Sequence, residues 1–282
     1  NYVAWLQDVN EHAEYLGVLP VANGKVSYLY PGNAGHDNLL SFAKGILITT
    51  ESAEATPKNP SDHIIYQAAY DATVLPSLKN LLYSTPGLPE KQAVTATMFE
   101  NIKSINDKAA SIVDSLQSTR DTGLAQRQAT RIIELIDGST YARSSGDLPA
   151  KLAGRIDAKI GLLSSPGQTG YIDLLDTQLD ALKAHAANNA GLLQHIANAK
   201  SAVVDLHDWV QKMRTYDVQI LKAAHLTDPT ITAIALQLKQ EAANSYTGRT
   251  IPPDSSPRPT LGSAGAYQAY TETQYMAALN LK

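Results

Sequence analysis

The sequence predicts an α+β protein, with a small antiparallel β-sandwich-like module in residues 1–75 and a mainly antiparallel helical bundle in residues 76–282. Three observations lead to this prediction. Before residue 75, short apolar runs alternate with polar residues and are separated by Gly, Pro and Asn, as in strands joined by turns. After residue 75, apolar residues recur about every 3.5 positions, as in packed helices. Four prolines in residues 247–261 interrupt the helices and predict a surface excursion.

The β module is predicted from short runs near its turn signals. The expected strands lie at residues 2–6, 16–18, 26–30, 46–48 and 64–66. Asn23-Gly24 is a strong signal for a tight turn, so we expect a hairpin there. Trp5 is expected in the core of the sheet. The polar, proline-bearing residues 51–62 predict a loop, and four or five strands suffice for a small sheet or sandwich.

The helices are predicted from their apolar spacing and from capping residues. They are expected near residues 76–83, 89–118, 121–137, 148–163, 171–187, 192–224, 229–242 and 264–279. Asp121 and Asp228 stand where N-caps are needed, and Gly138 follows a helix end. The two longest segments carry continuous apolar seams, which is typical of an antiparallel bundle, and we expect five to seven helices to form it.

Composition excludes several classes of function. The chain has 282 residues and no cysteine, so disulfides, thiolate metal sites and cysteine nucleophiles are excluded. A net charge of −4 without a basic run argues against nucleic-acid binding. No apolar run approaches the roughly 18 residues of a membrane span. Because the chain begins inside a predicted strand and without Met, we expect a signal or anchor segment upstream.

Metal ligation is the first site chemistry to consider. His185, His195 and His207 are the candidate ligands for a metal or haem, but no zinc motif surrounds them. His195 and His207 lie on one predicted helix about 18 Å apart along the axis, which is too far for one ion. The simpler interpretation is that these are unrelated surface or capping histidines. We therefore expect no metal and no cofactor.

Catalytic patterns are also lacking in the sequence. No serine elbow, phosphate loop or dinucleotide fingerprint is found. Asp173, Asp176 and Asp180 share one face of a predicted helix and offer a cation site, although acidic residues near a helix start also favour its dipole. We expect no catalytic residues.

Tyrosine is unusually frequent, with 14 Tyr against 2 Phe and 2 Trp. Tyrosine suits surfaces that are half exposed to water, including protein interfaces. Tyr267, Tyr270 and Tyr275 crowd the last predicted helix. They either cover the bundle or form a contact surface for a protein partner.

Several segments carry a family resemblance. They are Val3-Ala4-Trp5-Leu6, Leu16-Gly17-Val18-Leu19-Pro20-Val21, Gly24-Lys25, Leu39-Leu40, Ile46-Leu47-Ile48-Thr49-Thr50-Glu51 and Pro60-Ser61. In this order they resemble the extracytoplasmic domain of anti-sigma factors of the anti-sigma-K type. The resemblance covers residues 1–70 and implies a non-catalytic β-sandwich-like module on the outer side of the cytoplasmic membrane. Because no sigma-binding helical domain lies in these residues, the regulatory function does not carry over.

The helical part is similar to bundle domains of exported bacterial proteins through Leu78-Lys79-Asn80-Leu81-Leu82, residues 132–138, Gly146-Asp147-Leu148 and Gly265-Ala266 with Tyr270 and Met276. The similarity implies His at several bundle positions in the relatives. Here Asn80, Lys108 and Gln128 stand at or near such positions, which implies that any metal or haem ligands of the relatives are replaced.

These observations together predict an exported, non-enzymatic structural or interaction protein. It would be a surface or assembly subunit, or an accessory subunit of a larger complex, that binds a protein partner or itself. The alternative is an extracytoplasmic sensor or ligand-binding module. The low charged fraction, 18% against about 25% in a typical protein, agrees with a surface that contacts a partner.

Overall fold

The structure, a computed structural model, describes residues 1–54, 56–152, 156–186 and 189–281. The chain divides into two compact units. The β unit comprises Asn1–Lys79 and Ala277–Lys282, and the helical unit comprises Asn80–Met276. Strands come first and helices follow, which confirms the predicted α+β class. Among the described residues, no helix is long and apolar enough to cross a membrane.

The β unit contains one four-stranded and one two-stranded antiparallel sheet. Its strands are β1 (Tyr2–Asp8), β2 (Ala13–Val18), β3 (Val21–Ala22), β4 (Lys25–Val26), β5 (Ala43–Thr50) and β6 (Ile64–Ala69). The larger sheet has the order β2-β1-β5-β6, so β2 and β6 are its edges. The Asn23-Gly24 turn joins β3 to β4, which confirms the predicted hairpin, but the strand predicted over residues 26–30 is wrong beyond Val26, where β4 ends.

Strand β1 is paired on both edges, and its two faces are covered by two groups of packed side chains. Val3 and Trp5 pack with Leu47 on one face, while Ala4 and Leu6 pack with other buried side chains on the opposite face. Trp5 is fully buried, as predicted, and its indole Nε1 donates a hydrogen bond of 2.8 Å to Thr49 Oγ1. That bond satisfies the one polar atom of the ring.

The helices extend from residue 75 to residue 276. They are α1 (Leu75–Leu82), α2 (Val94–Gln117), α3 (Thr122–Asp137), α4 (Ser139–Ser144), α5 (Tyr171–His185), α6 (Ala190–Lys222), α7 (Pro229–Thr247) and α8 (Ala266–Met276). The predicted seams of α2 and α6 are buried along their whole lengths. Asp121 and Asp228 accept backbone hydrogen bonds as N-caps, and Gly138 ends α3 with a φ of 77°, as predicted.

The predicted helix over residues 148–163 is wrong. Within this range the described residues contain a single 3₁₀ turn, Ala150–Leu152, and residues 153–155 lie outside the described part. Residues 161–163 pass between two helix ends. Leu162 and Leu163 donate backbone hydrogen bonds to the last carbonyls of α3, and Gly161 and Leu162 accept from the first amides of α5. These groups have no partner within their own helices, so residues 161–163 satisfy them.

Gly161 is expected to tolerate no side chain, because a Cβ there would lie 2.5 Å from the Ile136 carbonyl oxygen. The backbone must therefore shift in Gly161→Ala, and we expect a loss of about 1–3 kcal/mol in unfolding free energy. Chemical denaturation measures this loss. Gly87→Ala is a control that meets no neighbouring atom, although its positive φ adds some strain of its own. A Gly161→Ala variant as stable as the wild type would contradict this account.

Candidate functional site

The three tyrosines of α8 differ in their surroundings. Tyr267 and Tyr275 are each 54% exposed. Tyr270 is half-buried and stacks on Phe99 of α2, with ring centroids 5.1 Å apart. Tyr270 therefore helps to cover the bundle, while the other two rings lie open to solvent. A partner contact through these tyrosines stays a prediction.

The candidate histidine ligands do not come together. His185 and His207 are exposed, and His195 lies on α6 with Nδ1 2.7 Å from Glu272 Oε2 on α8. Glu272 also accepts a hydrogen bond of 3.2 Å from Asn198. Among the residues that the structure describes, no group of three or more His, Asp or Glu is placed to hold a metal ion. His195 instead joins α6 to α8 through Glu272, a residue that no sequence motif marks as a partner.

The acidic face of α5 is occupied by a lysine. Lys200 of α6 lies 2.7 Å from Asp176 and 2.9 Å from Asp180, and these carboxylates together raise its pKa against the opposing effect of burial. Asp173 accepts a hydrogen bond from the Ser164 hydroxyl. All three acidic residues of the predicted cation site therefore have partners inside the helical unit. For Asp176 and Asp180 the partner cation is Lys200.

The positions at which the family resemblance implied lost ligands hold polar contacts. Asn80 donates to Gln178 at 3.1 Å, Lys108 donates to Ser104 at 2.5 Å, and Gln128 accepts from Arg131 at 3.3 Å. None of these contacts contains a metal-binding side chain.

A buried ionic cluster lies where α3, α6 and the segment after α4 meet. Arg214 of α6 binds both carboxylate oxygens of Asp137 at 2.8–3.0 Å and also reaches Asp147 at 2.8 Å. Lys222 donates to the other oxygen of Asp147 at 2.5 Å. Asp137 is only 2% exposed, so its charge depends on Arg214 for compensation. The cluster ties the end of α3 and the segment after α4 to α6.

Asp217 completes this cluster from one turn further along α6. It is fully buried, and within the described part of the chain neither carboxyl oxygen has a hydrogen-bond partner. Burial raises the pKa of Asp217 well above its usual value, and nearby Asp137 adds to the rise. The charge of Arg214 opposes this rise only in part. Burial therefore favours the neutral, protonated form of Asp217, while Asp137 and Asp147 face the cations Arg214 and Lys222.

A polar cleft opens elsewhere in the helical unit. It has a cavity volume of about 290 Å³ and is lined by the 89–92 turn, α2, the 156–160 segment and the first residue of α5. Tyr171 and Gln92 meet in it at 3.3 Å. Glu90 and Lys91 at its rim have φ values of 53° and 54°, a region that is unfavourable for residues other than Gly. The cleft is large enough for a small polar molecule.

The edge strand β6 presents an open, largely apolar surface of the β unit. Ile64, Ile65 and Tyr66 are 47%, 43% and 49% exposed, and no residue of β6 is charged. Since successive side chains point to opposite faces, both faces of β6 are open. The other edge strand, β2, carries Glu14 and is mostly covered. Residues of β6 also line an apolar groove of about 540 Å³ together with Leu19, Val21 and Val26.

Comparison with family models, with curated proteins and with solved structures gives no match to this chain. The resemblance of residues 1–70 to anti-sigma factors of the anti-sigma-K type therefore stays a prediction.

Proposed function

We propose that this protein is an exported structural or interaction protein, an assembly subunit without catalytic activity, that associates with a second copy of itself through β6. The open edge of β6 carries this proposal. An edge strand leaves a row of backbone N–H and C=O groups unpaired, and natural proteins usually protect it with charges or a covering element. On β6 the strand residues carry no charge, and three large side chains remain exposed.

The orientation of β6 favours pairing with an identical strand. The Tyr70 N–H donates to the Lys44 carbonyl of β5, so by alternation Gln67 and Ala69 direct their backbone groups to the open side. Two copies of β6 related by a two-fold axis run antiparallel, and each brings the same neutral apolar residues to the other. Such a self-complementary contact is the commonest kind in symmetric oligomers. The low charged fraction of the chain further supports an interaction role.

The edge charge variant Ile65→Lys tests the association. Each copy would bring a lysine to the shared neutral edge, where burial of its charge and repulsion between the two copies oppose pairing, so we expect the dimer dissociation constant to rise at least about 10-fold. Size-exclusion chromatography with light scattering over a range of concentrations measures it. Leu29→Lys, at a residue of the β unit that is 90% exposed, adds the same charge away from β6 and should leave the constant unchanged. A wild type that stays monomeric at the highest concentration would refute the proposal.

The proposed location is extracytoplasmic, as a secreted or surface protein. Support comes from the low charged fraction and the resemblance of residues 1–70. Cell fractionation of the full-length gene product tests it, and recovery in the cytoplasm would contradict it.

A second candidate function is that of a sensor or ligand-binding module, and the polar cleft beside Tyr171 favours it. An absorption spectrum and elemental analysis of the purified protein test for haem and metal. A ligand screen by thermal shift, with Tyr171→Phe as the comparison, tests for a small polar molecule. A ligand that stabilises the wild type more than this variant would support the candidate.

A further inference from the structure

Two basic side chains of the helical unit face each other between α2 and α3. Lys108 and Arg131 lie at equal sequence distances from the turn that joins these antiparallel helices, so they stand side by side. Burial lowers the pKa of Lys108, and the neighbouring charge of Arg131 lowers it further. Asp107 on the exposed side of α2 offsets this only in part. Like charges in a partly buried position repel each other and destabilise the fold.

This basic pair lacks the counter-ion that other cations of the unit have. Arg214 and Lys200 each bind two carboxylates at 2.9 Å or less. Across the described residues, neither Lys108 nor Arg131 has an acidic side chain within ion-pair distance. Ser104 accepts from Lys108 through its hydroxyl and its backbone carbonyl, and Gln128 accepts from Arg131. Both contacts lie within the same helix and supply no charge.

The guanidinium of Arg131 also has an unused donor. Its Nε is buried and makes no hydrogen bond to any described residue, while Nη1 is directed to Gln128. A buried donor without a partner is unfavourable. The Nε and second Nη groups form the edge of a guanidinium that binds a carboxylate or phosphate through two parallel hydrogen bonds.

We propose that Lys108 and Arg131 form a binding site for a small oxyanion of the phosphate type. The anion would neutralise the two like charges, accept from the free edge of Arg131 and accept from Lys108. This site goes beyond the proposed assembly function, because it lies in the helical unit and does not involve β6.

Inorganic phosphate is the probe. Isothermal titration calorimetry and thermal unfolding are measured in phosphate against sodium chloride at equal ionic strength, since phosphate also stabilises proteins nonspecifically. We expect saturable binding to the wild type. In Lys108→Gln and in Arg131→Gln the affinity should fall at least about 10-fold, because each variant loses a charge-assisted contact. A parallel titration with a simple phosphomonoester distinguishes a free ion from a phosphate group on a larger molecule.

The matched control is Lys103→Gln, which removes the same charge from α2 at an exposed position. It should bind phosphate as the wild type does. Without phosphate, Lys108→Gln should unfold at the same or a higher temperature than the wild type, because a repulsion is removed. A wild type without saturable phosphate binding, or an Arg131→Gln variant that retains it, would overturn the proposal.

Discussion

Replacing Arg214 by methionine is expected to lower the unfolding free energy of the helical unit by about 3–5 kcal/mol. Methionine keeps much of the length and apolar packing of the side chain but leaves Asp137 buried without its cation. Asp137 makes two of its bonds to Arg214 at 2.8 Å and is 2% exposed, so water cannot replace the lost partner. Urea denaturation at neutral pH, followed by circular dichroism, measures the loss.

Two further variants make this expectation specific. Lys222→Met removes a cation from the same cluster, but Lys222 is half exposed and binds only Asp147, so its loss should stay within about 1 kcal/mol. Adding Asp137→Asn to Arg214→Met should recover part of the lost stability, because the uncompensated charge is then gone. If Arg214→Met were no more harmful than Lys222→Met, the ionic cluster would not hold α3 to α6 in the manner described.

Replacing Asp217 by asparagine is expected to stabilise the protein at neutral pH and to have little effect near pH 4. A carboxyl group whose pKa is raised in the fold keeps its proton while the unfolded chain ionises. The native state therefore has its full stability below the usual Asp pKa and loses it as pH rises towards the pKa in the fold. The loss is about 1.4 kcal/mol for each pH unit in that interval.

Asparagine has nearly the same shape and does not ionise, so this pH-dependent loss disappears in Asp217→Asn. We expect the variant to exceed the wild type in unfolding free energy at pH 7, and this excess should shrink as the pH falls towards 4. Unfolding free energies measured across pH 4–8 provide the test. Asp208→Asn, at an exposed position of the same helix, should show no such gain in stability with pH. A difference between Asp217→Asn and wild type that does not grow with pH would contradict the account of a buried protonated acid.

Much of the architecture was predictable because its signals are local. The short apolar run around Trp5 identified a strand that is buried on both faces, and the seam from Val94 to Leu116 identified α2, which buries one face. Asp121 and Gly138 were recognisable as helix ends because capping depends on a few adjacent residues. The helix predicted over residues 148–163 was wrong because Leu148, Leu152, Leu162 and Leu163 are buried without forming the face of a helix, and apolar spacing alone does not distinguish the two cases.

The contacts within the candidate sites could not be predicted from the sequence. Asp137 and Arg214 are 77 positions apart, and their pairing depends on how α3 packs against α6. His195 was selected as a possible ligand, but its partner Glu272 lies on another helix and no spacing rule connects the two. The sequence does indicate the basic pair, because Lys108 and Arg131 lie opposite each other when α2 and α3 are arranged as an antiparallel helical hairpin.

The sequence by itself determined the fold class, the order of strands and helices and most helix ends, because these follow from periodicity and capping between residues close in the chain. Only the tertiary structure decided which charges are paired. In it, the carboxyl group of Asp217 has no hydrogen-bond partner among the described residues, and Arg214 pairs with Asp137. Lys108 lies beside Arg131, and β6 forms an open edge of its sheet. The physical reason is that the environment of a polar group depends on burial and on neighbours from distant segments. Composition and spacing do not carry that information.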